Sequence, residues 1–510
     1  MNVLLALASG VLLSLSFPRF GHPACAWIAL VPLLIALSGW RGLPGRLPGQ
    51  RPLRAFGLGL VAGVVYFAGT VYWTSTVVAT FGGLAPPVAI VAMLLLALYM
   101  ALFPAITAVI TSRLVSQAGA AGLLLAPAAW VVTEFVRGTL FGGFPWVPLG
   151  NSQVTVLPVA QLASLLGVYG LSALVAFVNA GIAFALLTSG RRRLSAVACT
   201  AIVVFGVGVW GASRIRDGSL VREGTPLRVG LLQGNIPQDR KWEPNEARGI
   251  FTTYLAMTRD AVTRGAQFVL WPESSTPFLF EEDEAGGRAL RDLVRETGVP
   301  ILFGSDQVER LPGPPARVRM YNAAFLVAPD GSTAAVYRKM HLVPFGEYIP
   351  GKQVLSFVSP LVQSLGEFAP GASMVLLPVA GHLVSTAICY EVVYPSLIGQ
   401  AVERGSELLT TITNDAWYGR SSAPHQHFAM ASMRAIEQGR YLARAANTGI
   451  SGVVDPYGRI VARTALFEQA GLVEDVRLLT SRTVYSRVGD AVAYVAMALV
   501  GIALLTMRRR

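Results

Sequence analysis

Crossing the hydrocarbon core of a bilayer takes about 20 predominantly apolar residues in a helix, and this chain supplies such runs in series. They are Val3 to Phe17, Ala24 to Trp40, Ala55 to Ala79, Pro87 to Thr111, Gly119 to Val136, Leu157 to Thr188 and Leu194 to Ala212. From Ser213 to Val488 charges recur and no run is long enough to span; a last run follows at Gly489 to Met507. Backbone polar groups in lipid must be satisfied within the segment, so each run predicts a helix. The predicted fold class is a membrane protein: an eight-helix transmembrane bundle carrying one large polar domain. The expected division is seven spans in 1–212, the polar domain in 213–488, and a last span with a basic tail in 489–510. Composition agrees, since 53% hydrophobic residues, 14% charged residues and a mean hydropathy of +0.54 are too apolar for an ordinary water-soluble chain of 510 residues. The first run lacks the basic start of a signal peptide, so it is read as a retained span.

With 41 basic against 29 acidic residues, the net charge of +12 would also suit a nucleic-acid partner. The placement of the arginines argues otherwise. Arg41, Arg46, Arg51 and Arg54 follow the second run, Arg113 the fourth, Arg191 to Arg193 the sixth and Arg508 to Arg510 the eighth. Every second loop is the basic one. The positive-inside bias then puts these loops and both termini in the cytoplasm, and the polar domain outside. The positive charge is a topology signal, and no nucleic acid is expected.

The polar domain reads as α/β. Short β-rich runs occur at Leu227 to Asn235, Phe268 to Ser274, Ile301 to Asp306, Ala323 to Gly331, His382 to Cys389 and Glu407 to Asp415. Helical patterns lie at Asn245 to Arg264, Gly287 to Thr297 and Phe428 to Ala446. Apolar runs without strict alternation predict strands covered on both faces. The stretch "APDGS" predicts an Asp-Gly hairpin turn.

Three strand ends carry reactive residues. In "WPES", Glu273 follows a proline after an apolar strand; a carboxylate desolvated by Trp271 would be a usable base, while the plain alternative is a surface acid. In "YRKMHLVPFGEYIP", Lys339 is one of three lysines in an arginine-rich chain, with Lys241 and Lys352. A compact ammonium can face an oxyanion where a guanidinium is wider. Glu347, eight residues on, could hold it. The alternative is an ordinary exposed lysine. In "ICYE", Cys389 has no evident disulfide partner, because Cys25 and Cys199 sit in distant apolar runs. It ends a strand before free N–H groups at a predicted helix start, a position that lowers a thiol pKa and offers an oxyanion site; the alternative is a small buried hydrophobe. "HQH", His425 to His427, looks like a metal pair without a third ligand at a recognisable spacing, so no metal is expected. A Cys-His dyad with His341, His382, His425 or His427 stays open.

The chain order Glu273, Lys339, Cys389 in these motifs resembles the nitrilase superfamily, in which a glutamate, a lysine and a cysteine form the catalytic triad. The flanking spans, with "GGFPW" (Gly142 to Trp146), "QGNIPQDRKW" (Gln233 to Trp242) and "TNDAWYG" (Thr413 to Gly419), make nearly the whole chain similar to the bacterial apolipoprotein N-acyltransferases. That resemblance implies an extracytoplasmic αββα sandwich on eight helices in the inner membrane, with the catalytic domain periplasmic. It implies transfer of an acyl chain from a phospholipid, phosphatidylethanolamine, to the amine of a diacylglyceryl-cysteine on an apolipoprotein, through a cysteine thioester. Glu273 would be the base, Cys389 the nucleophile, and Lys339 with the Tyr390 N–H the oxyanion partners. Glu347 and Glu391 would support them. No cofactor is implied, and a monomer is expected. Apolar stretches at Phe357 to Phe368 and Thr276 to Phe280, with Trp417 and Tyr418, are read as lids near Trp146 that dip toward lipid; Trp242, Phe278, Tyr348 and Phe357 join this substrate-facing set. The rival readings are a membrane-tethered amidase or nitrilase-type hydrolase, which would admit water, and a transporter. The spans carry few ionisable residues, with Glu134 the main exception.

Overall fold

The computed structural model describes residues 1–40, 47–241, 243–312, 317–348 and 368–507. Twelve strands among these residues form two sheets. The strands are β1 (Thr225–Gln233), β2 (Phe268–Leu270), β3 (Ile301–Leu311), β4 (Arg317–Val327), β5 (Thr333–Arg338), β6 (Leu377–Val379), β7 (His382–Ile388), β8 (Leu408–Thr413), β9 (Leu442–Ala446), β10 (Gly452–Val454), β11 (Ile460–Arg463) and β12 (Ala470–Leu478). One six-stranded sheet runs β12-β1-β2-β3-β4-β5 and the other β11-β10-β9-β8-β7-β6.

Side chains alternate across a strand with period two, and the first sheet uses both faces. Leu231, Leu270, Leu302 and Leu326 point into one core with Val384, Ile412 and Ala445 of the second sheet. Val269, Ile301, Phe303 and Phe325 point the other way, with Leu290 and Leu293 of helix Glu284–Thr297 and Tyr254 of helix Pro244–Thr263. Helices Pro395–Glu403 and Ala423–Gln438 contribute Leu397, Ile398 and Phe428 to the core of the second sheet. The result is a helix–sheet–sheet–helix sandwich. Strands β1, β2 and β3 are parallel, as are β7, β8 and β9. β5 regains the direction of β3 through the antiparallel β4. The carboxyl ends of β1, β2, β5, β7, β8 and β9 therefore collect along one rim, the usual place for a site in an α/β sheet.

The "APDGS" turn is a hairpin between β4 and β5, closed by Ala328 N–H on the Ser332 carbonyl at 2.9 Å. The helical reading of Phe428 to Ala446 is too long. Gly439, at φ +61°, ends the helix, and "LARAA" becomes the buried strand β9 between β8 and β10. Its local preference is helical, but its neighbours on both sides supply ladder hydrogen bonds and burial.

Four helical stretches are long and apolar enough to cross a membrane: Pro52–Val71, Pro86–Gly142, Ala163–Leu187 and Gly190–Val221; shorter apolar helices lie at Asn2–Ser14, Pro23–Ser38 and Ala491–Thr506. The fourth and fifth expected spans fall within the single stretch Pro86–Gly142, where helices Pro86–Ala118 and Ala126–Thr139 meet through the 3-10 turn Gly119–Leu125. The helical region and the sandwich are packed together. Met433 and Ile436 share a core with Val168 and Leu171, and the Val168 N–H donates to Glu437 Oε1 at 2.8 Å.

Candidate active site

Glu273 leaves β2 at a sharp turn in which Ser274 has φ +44°. β3 passes so close that a Cβ at Gly304 would lie 2.4 Å from Ser274 N and 2.7 Å from Glu273 Cα, so only glycine permits this crossing. The carboxylate is buried, with 6% exposure. Asn322 Nδ2 of β4 donates to Glu273 Oε1 at 2.7 Å, and the Asn414 N–H after β8 donates to Oε2 at 2.9 Å. Trp271 faces away, stacked on Tyr254 at 5.0 Å with its N–H on Thr258. Hydrogen bonds from Asn322 and Asn414, and not the indole, define the setting of Glu273.

Lys339 follows β5 and is 1% exposed. Its Nζ lies 2.8 Å from Glu347 Oε1 and 3.5 Å from Glu273 Oε1. Asn322 Nδ2 also donates to Glu347 Oε1 at 3.0 Å, so one amide and one ammonium hold the two carboxylates together. Burial would lower the Lys339 pKa, but the charges of Glu347 and Glu273 outweigh it and raise the ammonium above its ordinary range. Lys339 is therefore a permanent positive charge, suited to electrostatic work and not to giving up a proton. Lys241 is the contrasting lysine. Its Nζ donates to the Glu273 carbonyl at 3.1 Å, and burial pulls it down to about 8 against the opposing charges of Glu273 and Asp306.

Cys389 follows β7 with φ +53°, a left-handed conformation that costs a non-glycine residue about 1–3 kcal/mol. It opens the 3-10 turn Cys389–Val393, and helix Pro395–Glu403 follows. The expected lowering of the thiol pKa is reversed. Burial, then the negative charge of Glu273, push it well up, and Lys339 offsets only part of this. A 3-10 turn this short offers too little charge stabilisation to match the loss of solvent around a 5%-exposed thiol. The thiol thus rests neutral, within range of the charges of both Glu273 and Lys339.

Glu391 does not face the cluster as a reactive group. Its two oxygens accept from Tyr337 Oη and from the N–H groups of Met340, His341 and Ile388, at 2.7 to 3.0 Å, tying the end of β5 to the end of β7. Burial raises it to about 7 even against these donors. Tyr390 is buried, and its ring stacks 6.0 Å from Phe144 and 6.4 Å from Trp146 of the "GGFPW" loop. That loop is braced from below. Arg137 donates to the carbonyls of Phe144 and Trp146 at 2.8 Å each, and Glu134 accepts from the Leu149 N–H at 2.7 Å. Glu134, the exception that a transporter would have explained, holds a loop.

The structure brings Trp146, Tyr390 and Tyr418 into one aromatic cluster with Trp73. Trp417 lies beside it, edge-on to Phe81. Tyr348 is half-buried, its hydroxyl facing Gly142. Phe278 stands apart, packed on Phe251 of its own domain at 5.0 Å. Trp242 and Phe357, with Lys352 and most of Phe357 to Phe368, lie outside the described residues. Of the histidines, His341 bonds the Gly142 carbonyl, His382 bonds Glu407, and His427 bonds Asp415 and the Cys389 carbonyl. Among the described residues none of these rings bonds the thiol, and no group of three metal-ligating side chains is present.

Sequence reasoning missed Asn322, Asn414 and Lys241. Asn322 had one available signal: it is the single amide in "MYNAAFLV", at a position where a buried strand otherwise holds apolar residues.

A buried Glu–Lys–Cys cluster on the strand ends of such a sandwich, joined to apolar helices, defines a nitrilase-type domain on a membrane-type helical region. Residues 228–484 match the carbon-nitrogen hydrolase family, and residues 9–181 match the apolipoprotein N-acyltransferase N-terminal domain. The chain is 38% identical to the apolipoprotein N-acyltransferase of Geobacter metallireducens, covering 100% of this chain and 96% of that protein. It is 35% identical to that of Methylococcus capsulatus, covering 99% and 96%. An amidase crystal structure from Nesterenkonia sp. covers 51% of this chain and 93% of its own, at 23% identity and a TM-score of 0.38. The chain belongs to the apolipoprotein N-acyltransferase family.

Proposed function

We propose that this protein moves a fatty acyl chain from a phospholipid, phosphatidylethanolamine, to the α-amine of an N-terminal diacylglyceryl-cysteine on an apolipoprotein, by way of a thioester on Cys389. The observation that carries this reading is the stacking of Phe144 and Trp146, from the apolar helical region, on Tyr390 next to the nucleophile. It sets Cys389 at the junction of lipid-compatible helices and the sandwich, which supports acyl transfer from lipid at this thiol.

Glu273 takes the thiol proton as sulfur attacks the ester carbonyl. The oxyanion faces Lys339 and the N–H of Tyr390. Collapse expels the lyso-phospholipid alkoxide, which takes the proton from Glu273 and leaves the acyl group on sulfur. The acceptor amine then attacks the thioester, Glu273 removes its proton, and collapse expels the Cys389 thiolate, which takes that proton back from Glu273. Glu347 and Asn322 keep Lys339 and Glu273 in register throughout. A thioester formed from an ester and discharged by an amine needs no nucleotide or metal.

Phospholipid alone should load the enzyme with a hydroxylamine-labile acyl mass that persists, and a diacylglyceryl-cysteine peptide should discharge it as an amide. Rapid loss of the acyl group to water without peptide favours the amidase-type alternative.

In the membrane we assign eight helices, with the sandwich on the periplasmic face of the inner membrane and both termini cytoplasmic, from the alternation of basic loops at Arg51 and Arg54, Arg113, and Arg191 to Arg193. A reporter fused after Arg510 should be active only in the cytoplasm, and one inserted between Ser213 and Val488 only outside; the reverse pattern overturns the orientation.

A further inference from the structure

The "HQH" motif lies at the start of helix Ala423–Gln438, and the proposed chemistry leaves it unused. Its middle residue, Gln426, accepts from the Trp146 indole N–H at 2.7 Å. Its last residue, His427, is fully buried, with Nε2 3.1 Å from the Cys389 carbonyl oxygen. On the other side of the ring, Nδ1 lies 3.0 Å from Asp415 Oδ1 and 3.1 Å from Arg444 Nη2. Arg444 also donates to Asp415 Oδ2 at 2.9 Å, and Thr413 Oγ1 donates to Asp415 Oδ1 at 3.0 Å. Asp415 and Arg444 are likewise fully buried.

The hydrogen on the ring follows from its neighbours. Nδ1 has an acceptor and a donor within reach. Nε2 faces a carbonyl oxygen, which can only accept, and the ring is fully buried. A bare nitrogen there would oppose two lone pairs, so Nε2 carries the hydrogen and donates to Cys389. Burial alone would raise the Asp415 pKa, but Arg444 and His427 hold it down at about 2, so the anchor behind the ring is a carboxylate.

We propose that His427, held at Nδ1 by Arg444, which Asp415 keeps in place, is the positioning residue of the nucleophile: its Nε2–H grips the Cys389 carbonyl and keeps the left-handed turn that aims the thiol at Glu273 and Lys339. A residue at φ +53° has a costly backbone, and a buried hydrogen bond to its carbonyl is a direct means of holding it. The proposal rests on Cys389 being the nucleophile.

The test compares H427Q, H427N and H427L in the full chain, reading the rate at which iodoacetamide alkylates Cys389, located by peptide mass, and the rate of acyl loading from phospholipid. The glutamine amide nitrogen falls near Nε2, the asparagine nitrogen near Nδ1, and leucine keeps volume alone. H427Q should stay within about five-fold of the unsubstituted enzyme, while H427N and H427L should lose about 10- to 100-fold, the scale of a misaimed reacting group. Equal rates for H427L and the unsubstituted enzyme, or H427Q as slow as H427N, overturn the proposal. So do rates that follow the melting temperatures instead of the donor position. No alkylation of Cys389 in the unsubstituted enzyme is a separate failure, that of the nucleophile itself.

Discussion

Cys389→Ala should never acquire an acyl mass from phospholipid, however long the incubation. The proposed route runs through a sulfur–carbon bond that alanine cannot form, and an acyl group on the neighbouring amine of Lys241 would be an amide, which hydroxylamine leaves in place. Deleting a nucleophile from such a unit costs roughly 10⁶-fold in turnover. The substitution removes one buried atom and keeps the 3-10 turn, so the variant should remain folded. The measurement is the intact mass of enzyme purified from membranes, before and after hydroxylamine, beside a melting curve. A hydroxylamine-labile acyl group on Cys389→Ala would take this cysteine out of the chemistry.

Glu273→Gln should load about 10² to 10⁴ times more slowly, the range for losing general-base help. Glutamine keeps the shape, but its single oxygen accepts from only one of Asn322 Nδ2 and the Asn414 N–H while its amide nitrogen faces the other donor, so a melting curve beside the rate separates lost packing from lost proton transfer. Burial around Cys389 makes the effect large. The native thiol pKa lies well above its usual value, so the fraction present as thiolate is small at neutral pH and still small at pH 9. Raising the pH from 7 to 9 should therefore fail to restore the variant. Single-turnover loading followed by mass checks both parts. A Glu273→Gln rate near that of the unsubstituted enzyme, or full recovery at pH 9, would give the proton another destination.

The readable part of the site was the part carried by rare residue types at strand ends. Glu273, Lys339 and Cys389 each break an apolar run at its close, where a β-strand hands over to a loop. Two errors share one origin. Sequence neighbours predict a thiol acidified by a nearby helix start and a Glu273 desolvated by Trp271. In the structure the deciding groups lie far along the chain: Asn322 is 49 residues from Glu273, and Asn414 is 141. The strand β9 was misread for the same reason, since "LARAA" is a strand only because β8 and β10 flank it.

By itself the sequence determined the two-part architecture, because apolar runs of spanning length and their arginine-rich loops are local properties of composition. It also singled out the candidate site residues that the fold brings to one rim, through residue type at the ends of strands. The tertiary structure alone decided the charge environment of the candidate site and the neighbours of Cys389. Those depend on burial and on charges brought together from separate strands: Lys339 raised between Glu347 and Glu273, Cys389 raised by loss of solvent, and Asp415 lowered beside Arg444. Electrostatic energy depends on distance in space and on local solvent, and neither is encoded by separation along the chain.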